Sequence, residues 1–278
     1  MVERSVQLEY SQLEPRMLDE AGRRYKGAKI IAVLQHFLGV SSFAGLRVLD
    51  IGTSTGFIAS ELARAGGAVV GVDIDVPGVA AAAARHGDEV SFLTAEGEHL
   101  PVRDSSMDLV VFNQIYEHVL NPDAVMAEIR RVLRPEGVVY LGLGNRLVVV
   151  EPHYGLPFLS WLPERLADRY VRVAGRNHHY HERFRTHREL RRMVAGMHVW
   201  DYSLSVVAEP ARFAAENLVP GLLHRVPSGA LRAAELLMPT YLWVGSLAPA
   251  EPRGPRLRVP PRRVQTLPHR ALSGSHNP

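Results

Sequence analysis

The spacing of apolar residues changes character twice along this chain. Near the start, Ile30, Val33, Leu34, Phe37 and Leu38 recur at helical spacing and stop at Gly39, which predicts an amphipathic helix closed by a glycine. From Leu46 the pattern becomes short β-rich runs alternating with helical ones: LRVLDI then FIASELARAG, AVVGVD then VPGVAAAAARHG, VSFLTA, MDLVVFN then NPDAVMAEIRRVLRPEG, and VVYLGL. Such alternation predicts an α/β fold, a largely parallel sheet with helices on both faces. One of these helices can be read in detail. Asn121 is its cap, Pro122 suits the first helical position, Val125, Ile129, Val132 and Leu133 form one apolar stripe, and Pro135 and Gly137 end it.

After Asn145 the alternation breaks, and residues 145–197 are expected to form an insertion or lid. WDYSLSVV and TYLWVGSL then predict two further strands, separated by a helical stretch from Pro210 to Met238. From Leu247 the chain is rich in Pro and Arg with few apolar anchors, so 247–278 is expected to be a disordered tail beyond a single domain of 1–246.

Composition narrows the classes. At 278 residues, 46% hydrophobic and 22% charged, the chain can bury a full core. It has no cysteine, which excludes disulfides, thiolate metal sites and a cysteine nucleophile. The opening MVERSVQLEYSQLEPR lacks the apolar run of a signal peptide, and no segment approaches the ~18 apolar residues of a membrane span, so a cytoplasmic location is expected. The net charge of +3 belongs to the tail, where six arginines stand against one glutamate; the rest of the chain carries −2. Charge therefore argues against nucleic-acid binding by the body of the protein.

The strongest chemical signal is VLDIGTSTG, Val48 to Gly56, running from a strand directly into a helix. A turn that sharp needs Gly52 and Gly56, with only the small Thr53, Ser54 and Thr55 between them. Backbone N–H groups at the following helix start would face a bound carboxylate or phosphate. Asp73 closes the second strand, 21 residues after Gly52, where a carboxylate can accept hydrogen bonds from ribose hydroxyls. The loop G-T-S-T-G-F departs from the G-x-G-x-x-G that brings a helix against pyrophosphate.

With VVGVDID, AEGEHLP, SSMDLVVFNQIYEHV and RVLRPEGVVYLGL following in order, the chain from Leu46 to about Leu143 resembles the class I S-adenosylmethionine (SAM)-dependent methyltransferases, most closely their small-molecule branch. The resemblance implies a Rossmann-like seven-stranded, mostly parallel sheet and SAM as cofactor. It implies that Asp50, Gly52, Ser54 and Gly56 hold the methionyl end and that Asp73 holds the ribose. Glu96 and Gly97 would flank the adenine, and Asn113 and Gln114 would lie near the sulfonium. Ser54 departs from the usual glycine.

Methyl transfer to a hydroxyl needs a base with a pKa near neutral, and histidine is the natural candidate. The candidates are His118, then His153 and His181 of the insertion, with Tyr154, His178, His179 and Tyr180 beside them. No carboxylate set at metal-ligand spacing follows the HHYH run, so no metal is expected. The acceptor is expected to be a small, sugar- or lipid-linked molecule methylated on oxygen or carbon; Asn113-Gln114-Ile115-Tyr116 lacks the Pro-Pro-aromatic run of base-amine methyltransferases. Leu156, Phe158, Leu159, Trp161 and Leu162, followed by Arg165, Arg169 and Arg172, form a pattern found in interfacial helices and allow peripheral membrane contact. Three alternatives stay open: an NAD(P)-dependent oxidoreductase, a SAM-binding protein without catalysis, and a macromolecular methyltransferase using its basic tail on RNA.

Overall fold

In a computed structural model of the protein, residues 7, 8, 11, 18–176, 179–217, 229 and 235–268 are described. Helix α1 (Glu20–Leu38) starts where the Asp19 carboxylate accepts the Gly22 N–H and ends on Gly39 at φ 69°, as its apolar period predicts. The alternating region follows as β1 (Arg47–Ile51), α2 (Phe57–Arg64), β2 (Ala68–Asp73), α3 (Val76–His86), β3 (Ser91–Thr94), β4 (Met107–Asn113), α4 (Pro122–Val132) and β5 (Leu133–Gly144). Asn121 caps α4 by accepting the Ala124 N–H at 3.1 Å. The helix stops at Val132, before Pro135, because Leu133 turns extended and opens β5.

Beyond β5 come α5 (Glu164–Val173), α6 (His187–Met193), β6 (His198–Asp201), α7 (Ser203–Ala208), β7 (Thr240–Ser246) and β8 (Arg262–Val264). WDYSLSVV is thus a short strand followed by a helix rather than one strand, since Asp201 accepts the Ser203 N–H and turns the chain. Most of the expected helical stretch between Pro210 and Met238 lies outside the described residues.

Among the described residues the sheet has eight strands in the order β3-β2-β1-β4-β5-β7-β6-β8, not the seven expected. β3, β2, β1, β4 and β5 are parallel, and β7 enters antiparallel between β5 and β6. Side chains alternate between the faces with the strand period of two. Val48, Leu109, Val111, Val138, Tyr140 and Val244 join α1, α2 and α7 on one side. Leu49, Val110, Phe112, Val139, Leu141 and Trp243 join α4, α5 and α6 on the other.

The eighth strand comes from the segment expected to be a disordered tail, and that expectation is corrected for 247–268. β8 pairs with β6, Arg253 and Gly254 donate backbone N–H groups to Phe37 and His36 carbonyls, and the Trp200 indole donates to the Ala250 carbonyl. Its few apolar anchors suffice because Leu257 and Val259 are buried against the α1 side of the core. Truncating that anchor by Leu257→Ala should cost about 2–5 kcal/mol of stability. Urea unfolding checks this, and an unchanged midpoint would return the segment to a loose tail.

Candidate active site

β1 and β4 are neighbours whose chain connections leave to opposite sides, so a crevice opens beyond their carboxyl ends, where ligands bind in open α/β sheets. A cavity of about 230 Å³ lies there. The turn after β1 forms one wall with three left-handed residues: Gly52 at φ 76°, Ser54 at 50° and Gly56 at 78°. A Cβ on Gly52 would stand 2.3 Å from Ile115 Cδ1, so the turn needs glycine there for space as well as for φ. Ser54 bears a strain of order 1–3 kcal/mol, and its N–H donates to Asp73 Oδ2 at 2.7 Å. Asp73 Oδ1 accepts the Asp75 N–H at 2.9 Å, while Asp75 itself caps α3 and accepts the Ser11 N–H at 2.7 Å. Capping therefore belongs to Asp75, and Asp73 stands at the cavity with lone pairs to spare.

Gly52, Ser54, Asp73, Glu96, Gly97, Asn113, Gln114, His118 and His153 all line this cavity, together with the apolar Ile51, Val72, Ile74 and Ile115. Two of the expected cofactor residues stand off the wall. Gly56 caps α2 against Phe92 and Ala82, and Asp50 is buried behind the turn, where burial raises its carboxyl to about 6 against the coulombic pull of Arg23. His181 is not on the wall either; its ring lies 6.2 Å from that of the exposed His179, which contacts Asp168. His178 lies outside the described residues. Arg23 and Lys26 of α1 also reach the cavity and were not expected. The signal was present: Arg23 heads the stripe Gly27, Ile30, Leu34 and Phe37, a charge at the end of an otherwise buried face.

At the far end, the segment after β5 packs on the turn after β4. The Tyr116 hydroxyl donates to the Gly144 carbonyl and accepts the Arg185 N–H, the Arg183 N–H donates to the Glu117 carbonyl, and Arg185 forms two bonds to Asp123. His118 and His153 meet edge to face at 5.3 Å. His153 Nδ1 is 2.7 Å from Glu151 Oε1, and Glu151 Oε2 accepts the Tyr154 N–H. Burial alone would lower the His153 pKa, but the Glu151 bond and the charges of Glu182, Glu151 and Glu117 leave it raised. Burial pulls His118 down to about 3, so it is a neutral imidazole. Burial also lifts Glu117 and Glu182 to about 7. Glu117, His118 and His153 bring ligand atoms within 4.8 Å of one another, a set invisible to a search around His178 to His181.

A Rossmann-like sheet with a glycine turn facing a strand-end carboxylate is the arrangement in which α/β proteins hold a nucleoside. The methyltransferase-domain family matches residues 49–141. An uncharacterized methyltransferase of Mycobacterium ulcerans is 40% identical over 101 residues, 36% of this chain and 40% of the relative. A ubiquinone biosynthesis O-methyltransferase of Dinoroseobacter shibae is 31% identical over 135 residues, 45% of this chain and 53% of the relative. This chain thus spans about half the length of the curated relatives it matches. Among solved structures, the complex between the Haloferax volcanii Trm112 methyltransferase activator and a candidate methyltransferase contains a chain with the same fold. It gives a TM-score of 0.55 at 20% identity, covering 88% of this chain and 99% of that one. Residues 49–141 thus match a methyltransferase domain, and SAM is the cofactor that this match implies.

The raised carboxyl of Asp50 carries a stability signature. Between its ordinary 3.8 and about 6, the folded chain holds a proton that the unfolded chain has lost, so this group's contribution falls as pH rises through that window. Asp50→Asn should remove the slope and gain on the native chain as pH rises. Urea titrations across the window check this, and parallel pH dependences would refute it.

Proposed function

We propose that this chain transfers a methyl group from SAM to an oxygen of a small acceptor held beneath the lid. The observation that carries the reading is a single cavity with the glycine turn and Asp73 at one end and the His118/His153 pair at the other. The residues fit the cofactor: Asp73 would accept from ribose hydroxyls, Ile51, Val72, Ile74 and Ala95 offer an apolar slot with Glu96 and Gly97 at its rim, and Arg23 and Lys26 would complement a carboxylate. Asp50 and Gly56 would shape the turn from behind. Bound SAM supplies a methyl on a sulfonium sulfur, and its transfer to a hydroxyl oxygen leaves S-adenosylhomocysteine and one proton.

The chain's own work is to align the acceptor, exclude water and take up that proton. Asn113 and Gln114 end β4 between the turn and the histidines; the Gln114 side-chain nitrogen is buried without a protein partner and would meet either ligand. His153, oriented by Glu151, is the residue on which proton loss would depend; His118 lies beside it, and His181 is not among the residues lining the cavity. The ubiquinone biosynthesis relatives, named as O-methyltransferases, favour oxygen as the acceptor atom. The cavity's apolar lining favours a ring or chain over a free sugar.

Calorimetry tests this directly. S-adenosylhomocysteine should bind and NADH should not; Asp73→Ala should weaken binding by about 10–100-fold, the loss of one or two hydrogen bonds to a charged group. His153→Ala should leave that binding intact and lower turnover by about 100-fold or more on any accepted hydroxyl substrate. Absence of S-adenosylhomocysteine binding would overturn the reading.

The lid surface favours an amphipathic or lipid-linked acceptor. Phe158, Trp161, Leu166 and Val173 are exposed, Val173 by 81%, and Arg165, Arg169, Arg172 and Arg176 are exposed around them. No helix among the described residues is long and apolar enough to cross a membrane, so contact would be interfacial. The protein should co-sediment with anionic vesicles but not neutral ones, and Phe158→Ser with Trp161→Ser should release it. Protein left in the supernatant in every case would exclude lipid contact by the lid.

A further inference from the structure

We propose that Glu117, His118 and His153 form a divalent-cation site at the acceptor end of the cavity, suited to a Zn²⁺-like transition metal. The three offer ligand atoms that already lie within 4.8 Å of one another. Tetrahedral coordination at about 2.0–2.1 Å would bring them to about 3.4 Å apart.

Three observations point to a cation rather than to a packing accident. Glu117 is fully buried, and neither of its carboxylate oxygens has a protein partner. A buried carboxylate left so is among the costlier features a core can hold. Glu151 and Glu182 are buried close by, and no salt bridge among the described residues joins an arginine or lysine to any of the three. Arg185 is committed to Asp123.

The third observation is the placement of Glu151. Its carboxylate fixes His153 through Nδ1 at 2.7 Å, leaving Nε2 as the ligand atom. Metal-binding histidines are held in this way, the carboxylate setting the tautomer and the ring's direction. Two imidazoles with one carboxylate suit Zn²⁺, Mn²⁺ or Fe²⁺ better than Mg²⁺ or Ca²⁺, which prefer oxygen alone.

His118 and His153 are both on the cavity wall, so the open coordination position faces the acceptor. Resting on the methyl-transfer reading, the cation's part would be to bind the acceptor oxygen and favour loss of its proton. His153, with Nδ1 on Glu151 and Nε2 on the cation, would position the ion, and the proton lost from the acceptor oxygen would pass to water at the cavity mouth.

The test uses the full chain after chelator treatment and dialysis. Titration with ZnCl₂ should show one saturable equivalent, and CoCl₂ should give the visible bands of a histidine-ligated ion; MgCl₂ should compete poorly. Glu117→Gln and His153→Ala should weaken Zn²⁺ by about 100-fold or more, and Glu151→Gln by about 10–100-fold, as loss of an orienting carboxylate does. His179→Ala, on the exposed ring, should leave it unchanged. If Glu117→Gln fails to fold by circular dichroism, His153→Ala and Glu151→Gln decide.

Absence of saturable Zn²⁺ binding, or binding removed by His179→Ala and retained by the other variants, overturns the site. S-adenosylhomocysteine titrated into the same samples separates the two readings. Nucleoside binding without Zn²⁺ binding ends the cation proposal alone, and the converse ends the SAM reading alone.

Discussion

The site is organised around the carboxylate of Asp73. One oxygen accepts the Ser54 N–H and the other the Asp75 N–H, so a single side chain ties the turn after β1 to the end of β2 and the start of α3. These bonds to a charged acceptor, each worth about 1.5–3 kcal/mol, are of the size needed to hold Ser54 at positive φ. Asp75 extends the tie outward by gripping Gly78 within α3 and Ser11 of the N-terminal segment, whose Gln7 also donates to the His118 carbonyl. Floor and cover of the cavity thus share one hydrogen-bonded chain.

This arrangement explains which parts could be read from the amino-acid order. Strand alternation was legible because it is local and has a fixed period: Val48 and Leu49, or Leu109 and Val110, must fall on opposite faces whatever surrounds them. The turn was legible because its glycines answer a local steric demand. Asp73 was legible only by its distance from them. The roles of Asp50 and Gly56 were less so, because sequence proximity to the turn does not say which side of it faces the cavity.

What escaped reading depends on contacts between distant segments. The stretch 247–268 looks like a tail because prolines and arginines dominate it, yet Leu257, Val259 and a few backbone bonds to α1 and β6 dock it as an eighth strand. An edge strand needs little apolar material of its own when its neighbours supply the core. The partnership of Glu117 with His153 and Glu151 was hidden for a similar reason. Tyr116 and Arg185 bring the lid return against the β4 turn, and no spacing rule anticipates that closure.

The acceptor end then poses a problem of charge that the cofactor end does not. At the turn, the carboxylates of Asp73 and Asp75 face backbone donors, and Asp50 lies within the field of Arg23. In the 145–197 segment and the β4 turn, among the described residues, no arginine or lysine forms a salt bridge with Glu117, Glu151 or Glu182, and Glu151 is held by His153 and the Tyr154 N–H. Protons can fill such a deficit, at the cost of a buried carboxyl without a partner. Protons placed there would be stranded, however, beside a reaction that must release one more. A multivalent cation on Glu117, His118 and His153 would relieve both difficulties, offsetting the buried charge and placing its open position toward the acceptor. The same residues then make sense together, where each taken singly would be a cost without a function.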